Sequence, residues 1–171
     1  MSDELFAYEE NAHGRNHLRS AEPLLDARDL AILDLLTRDA RLSRAEIARR
    51  IGLSAPAAGE RIQRLEEAGI ITGYHARIDP ARLGYALTVI IRARPSPGRL
   101  SEMAKAIAMS PEITSCDRVS GEDCFIARAH VRSVSEMEVV IDRLIPFGST
   151  NTALVQSQTV PDRPLPRLTR R

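Results

Sequence analysis

The chain has 171 residues, 43% hydrophobic and 27% charged, with a formal net charge of +1. That balance argues against a disordered chain and against a bulk polyanion binder, and the length suits one medium domain or two small ones, each with its own core. No apolar run nears the roughly 18 residues of a membrane span. The N-terminus, MSDELFAYEENAHGRNHLRS, lacks the apolar segment of a signal peptide, and two cysteines make no disulfide framework. A cytoplasmic protein is expected.

Residues 1–23 are polar and charged without sustained periodicity, which predicts a flexible arm closed by Pro23. Residues 25–37, LDARDLAILDLLT, predict a helix. Asp26 is its cap, and Asp29 at the third helical position suits the positive end of the helix dipole. Leu30, Ile32, Leu33 and Leu36 form its apolar stripe.

Residues 42–72 read LSRAEIARRIGLSAPAAGERIQRLEEAGIIT. Ser43 and Glu46 have capping-box spacing, and Gly52 stops the helix that follows. Ser54 caps the next helix, Pro56 falls in its first turn, and Gly69 ends it. The Gly-Leu-Ser junction has the length that joins the helices of a helix-turn-helix. In the second of these helices, Ala55, Ala58, Ile62 and Leu65 repeat as a buried stripe, while Ala57, Glu60, Arg61 and Arg64 fall largely away from it. Between Arg41 and Arg64 six arginines stand against Glu46 and Glu60, a local balance of +4 that suits DNA phosphates. A solvated helical surface has the same look. Residues 70–78 predict a strand that completes a winged head over residues 24–78, followed by a linker at residues 79–84.

The second half predicts a strand over residues 85–93, much of it buried, then a helix striped by Leu100, Met103, Ala104 and Ile107. Strands over residues 113–119 and 124–131 flank the turn at residues 120–123. Ser133 caps a helix whose core face is Val134, Met137, Val140, Ile141 and Leu144, and residues 149–160 predict a last long strand. The order β-α-β-β-α-β is that of a ferredoxin-like unit, here over residues 85–160, and gives an α+β fold class for the whole chain. The Pro- and Arg-rich residues 161–171 predict a frayed tail.

The run from Leu25-Asp26 through Ile32-Leu33, Ala45-Glu46-Ile47-Ala48, Gly52-Leu53-Ser54, Arg61-Ile62, Arg64-Leu65-Glu66, Gly69-Ile70-Ile71 and Gly73-Tyr74 to Leu83-Gly84 resembles the Lrp/AsnC family of transcription regulators. Gly59 departs from that pattern: a bulkier residue is usual there, and Gly in mid-helix costs about 1 kcal/mol relative to Ala. The resemblance implies a winged helix-turn-helix that binds double-stranded DNA and a ferredoxin-like domain that senses a small molecule, an amino acid above all. It also implies a homodimer that assembles further, as far as an octamer. It implies no cofactor, no metal and no catalytic residue.

For DNA it points to Ser43, Ser54, Ala55 and Ala57 near the starts of the two helices. Glu60, Arg61 and Arg64 stand on the reading helix, with Arg41 and Arg44 toward the backbone. Phosphate pairing and base reading both remain open for Arg61 and Arg64, and a plain helix ion pair remains open for Glu60 and Arg64. For the effector it points to the turn Ser120, Gly121, Asp123, Cys124 and to Thr150 and Thr152, which share one face of the last strand. Cys124 occupies the place that fits the family's aspartate, and Asp123 sits one residue early, so the two point to opposite faces. The flanking cysteines, Cys116 and Cys124, stand where cross-strand neighbours stand. An enzyme alternative exists among relatives of the family, a tetrapyrrole decarboxylase working with histidines and arginines. Four scattered histidines and a basic reading helix weigh against it.

Overall fold

The computed structural model describes residues 25–161, 163 and 165. The expected arm over residues 1–23 and most of the expected tail lie outside them. The chain forms two compact units that divide between His75 and Ala76.

The first unit has three helices: α1 (Ala27–Arg38), α2 (Arg44–Ile51) and α3 (Ala55–Glu67). At α1 a complete capping box forms. Asp26 Oδ1 accepts from Arg28 N at 2.8 Å and Asp29 N at 2.9 Å, and Asp26 N donates to Asp29 Oδ2 at 3.2 Å. At α2 only half of the box forms: Ser43 Oγ accepts from Glu46 N at 3.1 Å, while the Glu46 carboxylate takes Arg49 and Arg50. Gly52 leaves α2 at a φ of 68°, a left-handed turn that costs glycine little. Ser54 Oγ then accepts from Ala57 N at 3.3 Å to start α3. Ile32, Ile47, Ile62 and Leu65 bury to 5% exposure or less and form the small core, each contributing about 1.5–3 kcal/mol by burial.

Two expectations for this unit fail. Ala55 is exposed, because the first turn of α3 projects beyond the core that Ala58 reaches. Residues 70–78 form no strand. Ile70 and Ile71 pack against the helical core instead, and among the described residues no neighbouring strand meets the backbone beyond them, without which an extended segment has no ladder.

The second unit opens on a 3-10 turn, Pro80–Leu83, capped by Asp79. Its elements are β1 (Leu87–Pro95), α4 (Leu100–Ala108), β2 (Ile113–Arg118), β3 (Phe125–Val131), α5 (Val134–Leu144) and β4 (Gly148–Leu154). The sheet order is β2-β3-β1-β4, every pair antiparallel. Strict alternation decides what is buried. Val89, Ile91 and Ala93 of β1 and Phe125, Ala127, Ala129 and Val131 of β3 face the helices, where Met103, Ile107, Val140 and Leu144 meet them. The β1 run is therefore buried on one side, with Ile90 half-buried and Arg92 and Arg94 exposed on the other.

Val134 was expected on the core face but is 51% exposed, since it lies one turn ahead of the point where α5 reaches the sheet. The last strand ends at Leu154, six residues short of expectation. Beyond the bond from Val155 N to Thr88 O at 2.9 Å, β1 offers it no further partner. Gly148 is required by close approach: a Cβ there would lie 2.2 Å from the Arg94 carbonyl oxygen. Among the described residues no helix is long and apolar enough to cross a membrane.

Candidate functional site

The outward side of α3 borders an open concavity of about 590 Å³, lined by Arg28, Leu53, Ala57, Glu60, Arg61, Gln63, Arg64 and Glu67. Arg64 and Glu60 are exposed, and the ion pair that their spacing allows is not formed. Among the described residues, the guanidinium groups of Arg28, Arg41, Arg44 and Arg64 have no carboxylate partner. Arg49 and Arg50, by contrast, share Glu46 at 2.6 and 2.7 Å. Those hydrogen bonds from Arg49 and Arg50 hold the Glu46 carboxyl below the usual carboxylate range. Ser43 and Ser54 spend their hydroxyls on the caps, which leaves the outward face to the arginines.

Arg61 is placed differently from the sequence expectation. Its Nη1 donates to Asp26 Oδ2 and to Asp29 Oδ1, both at 2.7 Å, with the side chain only 20% exposed. The bond from Asp29 N and the Arg61 guanidinium hold the Asp26 carboxyl below its ordinary range, and the two carboxylates raise the Arg61 pKa in turn. The arginine is tied to the start of α1, not turned outward. The sequence carried a signal for this: Asp26 and Asp29 supply more negative charge than a cap needs.

Sequence reasoning also missed Tyr74. Its hydroxyl donates to Glu66 Oε1 at 2.7 Å, closing the segment after α3 back onto that helix. Burial and the Glu66 carboxylate push its pKa up to about 12.

In the second unit the predicted effector residues fall into two groups. Val119 N donates to the Cys124 carbonyl at 2.9 Å and closes the turn, with Gly121 at a φ of 122°. Cys124 packs against the core under the sheet. Asp123 stands on the opposite face, its carboxylate 3.7 Å from Arg92 Nε. Arg92 also donates to Asn151 Oδ1 at 3.1 Å, and Arg94 Nε donates to the Glu122 carbonyl at 2.6 Å. Thr150 and Thr152 pair with Ala93 and Ile91, so they lie on the helix-covered face, away from Asp123. The Thr152 hydroxyl is buried with no hydrogen-bond partner. Ser120 and Gly121 are exposed at the tip. Arg92, Arg94 and Asn151 were not singled out from sequence; the signal available was two arginines at i, i+2 within an apolar strand.

The cysteines are not cross-strand neighbours. Cys116 pairs with Ala127, three residues beyond Cys124, because the hairpin is centred between Gly121 and Glu122 and not on Ser120, as a pairing of the two cysteines requires. Cys116 is exposed on β2, and partial desolvation by its neighbours, with Asp117 beside it, raises its thiol to about 11. Among the described residues no cluster of histidine, cysteine or carboxylate side chains is arranged to hold a metal.

A helix-turn-helix head whose reading helix carries the unpaired Arg64, with Arg41 and Arg44 unpaired ahead of it, followed in the chain by a βαββαβ domain, defines a two-domain transcription regulator. Residues 25–72 match the winged helix-turn-helix DNA-binding family, and residues 88–165 match the Lrp/AsnC ligand binding domain. The HTH-type transcriptional regulator LrpC of Bacillus subtilis is 32% identical over 78% of this chain and 93% of its own length. LrpA of Pyrococcus horikoshii is 34% identical over 71% of this chain and 86% of its own. The solved structure of B. subtilis LrpC superimposes with a TM-score of 0.77 at 31% identity, covering 81% of this chain and 99% of that one. A transcriptional regulator of Neisseria meningitidis, solved in complex with L-methionine, has a TM-score of 0.75 at 26% identity and covers 83% of this chain and 96% of its own. The chain belongs to the Lrp/AsnC family of transcription regulators. These relatives give no support to the tetrapyrrole decarboxylase alternative.

Proposed function

We propose that this protein is a sequence-specific DNA-binding regulator whose second domain binds an amino acid and assembles the chain into homodimers and higher oligomers in the cytoplasm. The observation that carries the DNA reading is the set of unpaired guanidinium groups on and beside α3, Arg41, Arg44 and Arg64, in a helix-turn-helix. Arg64 is assigned to base edges or phosphates in the major groove, Arg41 and Arg44 to the backbone. Arg61 is assigned to holding α3 on α1. Ser43, Ser54, Ala55 and Ala57 set the helix starts that approach DNA, and Glu60 faces the same concavity. The working division is a head over residues 24–78, a linker over 79–84 and a sensor over 85–160.

The effector reading rests on the turn with Asp123 and on the methionine complex of the Neisseria relative. A carboxylate beside a guanidinium offers opposite charges to a zwitterion: Asp123 for the ammonium, Arg92 for the carboxylate. Ser120, Gly121 and Cys124 shape that turn. An effector that favours one assembly by a few kcal/mol redistributes the oligomers and so the DNA-binding heads. No catalytic step is assigned.

Gel shifts on the region upstream of its own gene, with and without each of the twenty amino acids, test the proposal. A shifted band at low salt that one amino acid strengthens or weakens is expected. Absence of any shift at low salt sinks the DNA reading; a thermal-unfolding midpoint that no amino acid moves sinks the effector reading.

A further inference from the structure

Gly59 is the fifth residue of α3, buried, and glycine is the poorest helix former after proline. Its surroundings show what lies over the bare backbone there. A Cβ at this position would lie 3.4 Å from Arg44 Cδ, 3.7 Å from Arg44 Nη1 and 3.8 Å from Arg44 Nε. All three nearest atoms belong to one side chain. These are ordinary contact distances, so a methyl group fits, while a longer side chain would meet the Arg44 stem that lies over the bare backbone of α3.

Arg44 opens α2, and its guanidinium has no ion pair among the described residues, although Arg49 and Arg50 on the same helix are both spent on Glu46. Glu66 of α3 is taken by the Tyr74 hydroxyl. An arginine stem laid on another helix keeps its charge in water while its methylenes are covered. It also loses rotamer freedom before any partner arrives, which lowers the entropic cost of binding later. We propose that Gly59 is a positioning residue for Arg44: the small residue leaves room on α3 for the Arg44 stem and so sets where one backbone-directed cation meets a DNA phosphate. This rests on the DNA-binding reading above.

A double-mutant cycle on the full chain tests it, with Arg44→Ala, Gly59→Leu and the pair. Affinity is measured against a duplex from the upstream region and an unrelated duplex of equal length, at 50 and 200 mM salt. Removing one phosphate contact lowers the salt slope by about 0.9, so the affinity lost between those two salts shrinks by about 3.5-fold. Arg44→Ala is expected to do this on both duplexes alike. Gly59→Leu should reproduce the same slope change, because the larger side chain evicts the stem. The double variant should bind no worse than Arg44→Ala. A smaller step, Gly59→Ala, should melt higher than the wild type, as expected for a helix interior, and gain nothing in affinity.

Gly59→Leu with an unchanged salt slope overturns the proposal, as do losses that multiply in the double variant. If Gly59→Leu does not melt cooperatively, Gly59→Met carries the same test with an unbranched side chain. A wild-type chain that shifts neither duplex removes the DNA-binding reading and this inference with it. A wild type that binds while Arg44→Ala leaves the slope intact removes only the inference.

Discussion

The Arg61 guanidinium lies 2.7 Å from Asp29 Oδ1, across 32 residues of sequence, with Asp26 Oδ2 at the same distance. One arginine of the reading helix is thereby committed to the first helix, while Arg64, one turn further on, is not. The two are expected to separate cleanly on substitution. Arg61→Ala should lower the unfolding midpoint of the head and reduce DNA affinity only as the head loosens. Arg64→Ala should leave the midpoint unchanged and weaken DNA binding by about 1–3 kcal/mol if it reads a base, or cut the salt slope by about 1 if it holds a phosphate. Thermal melts alongside gel shifts decide; the reverse pattern would show that Arg61 leaves its carboxylates to meet DNA.

The same cluster sets a pH dependence. Asp26 has a folded pKa below its ordinary value of 3.8. A carboxyl depressed by folding contributes stability that is fully present above the unfolded value and is lost as pH falls through the folded one. Head stability should therefore hold from neutral pH to about 5 and then fall below about 4. Glu46, lowered from 4.5 by Arg49 and Arg50, acts in the same direction. Urea midpoints measured from pH 7 to 2.5 should show the drop, and Asp26→Asn should flatten it. An unaltered curve in that variant would place the acid sensitivity elsewhere.

Gly148 gives a prediction for the sensor. Alanine there would drive a Cβ to 2.2 Å from the Arg94 carbonyl oxygen and 2.7 Å from Pro95 Cα. Backbone, not a flexible side chain, would have to move. Gly148→Ala should cost the sensor about 1–3 kcal/mol, as overpacking does. Denaturant unfolding followed by circular dichroism measures it, and a wild-type midpoint would refute the close approach.

Thr152 is the opposite case. Its hydroxyl is buried with no partner. Replacing it by the near-isosteric valine removes an unsatisfied group, so Thr152→Val should stabilise the sensor by about 1 kcal/mol. Because Thr152 lies under the sheet and Asp123 over it, any amino acid that raises the wild-type melting point should still raise that of Thr152→Val, and should fail on Asp123→Asn. Loss of the response in Thr152→Val would move the effector to the helix-covered face that carries Thr150 and Thr152.

Much of the fold was legible because local signals agreed with packing. Asp26, Ser43, Ser54 and Ser133 all cap the helices that their spacing announced, and the elements of the second unit follow the expected β-α-β-β-α-β order. What was not legible depends on partners distant in sequence. The periodicity of α3 puts Arg61 at the edge of the outward face but says nothing of the two carboxylates that turn it inward. Residues 70–78 have strand chemistry, yet a strand exists only where another backbone accepts its hydrogen bonds. Thr150 and Thr152 share a face, as alternation requires, but which face depends on where α5 crosses the sheet. Cys116 and Cys124 looked symmetric in count, while register set the pairing.

The β1–β4 ladder has one more consequence. Val89 pairs with Leu154, and Val155 N reaches Thr88 O at 2.9 Å, so the chain threads into the sensor and leaves it side by side on neighbouring strands. A domain whose two ends meet is a cassette. It can be spliced into a host loop or exchanged between chains without stretching either junction. A pull applied to its two ends opens that one ladder like a zipper, bond by bond, before the rest of the sheet bears any force.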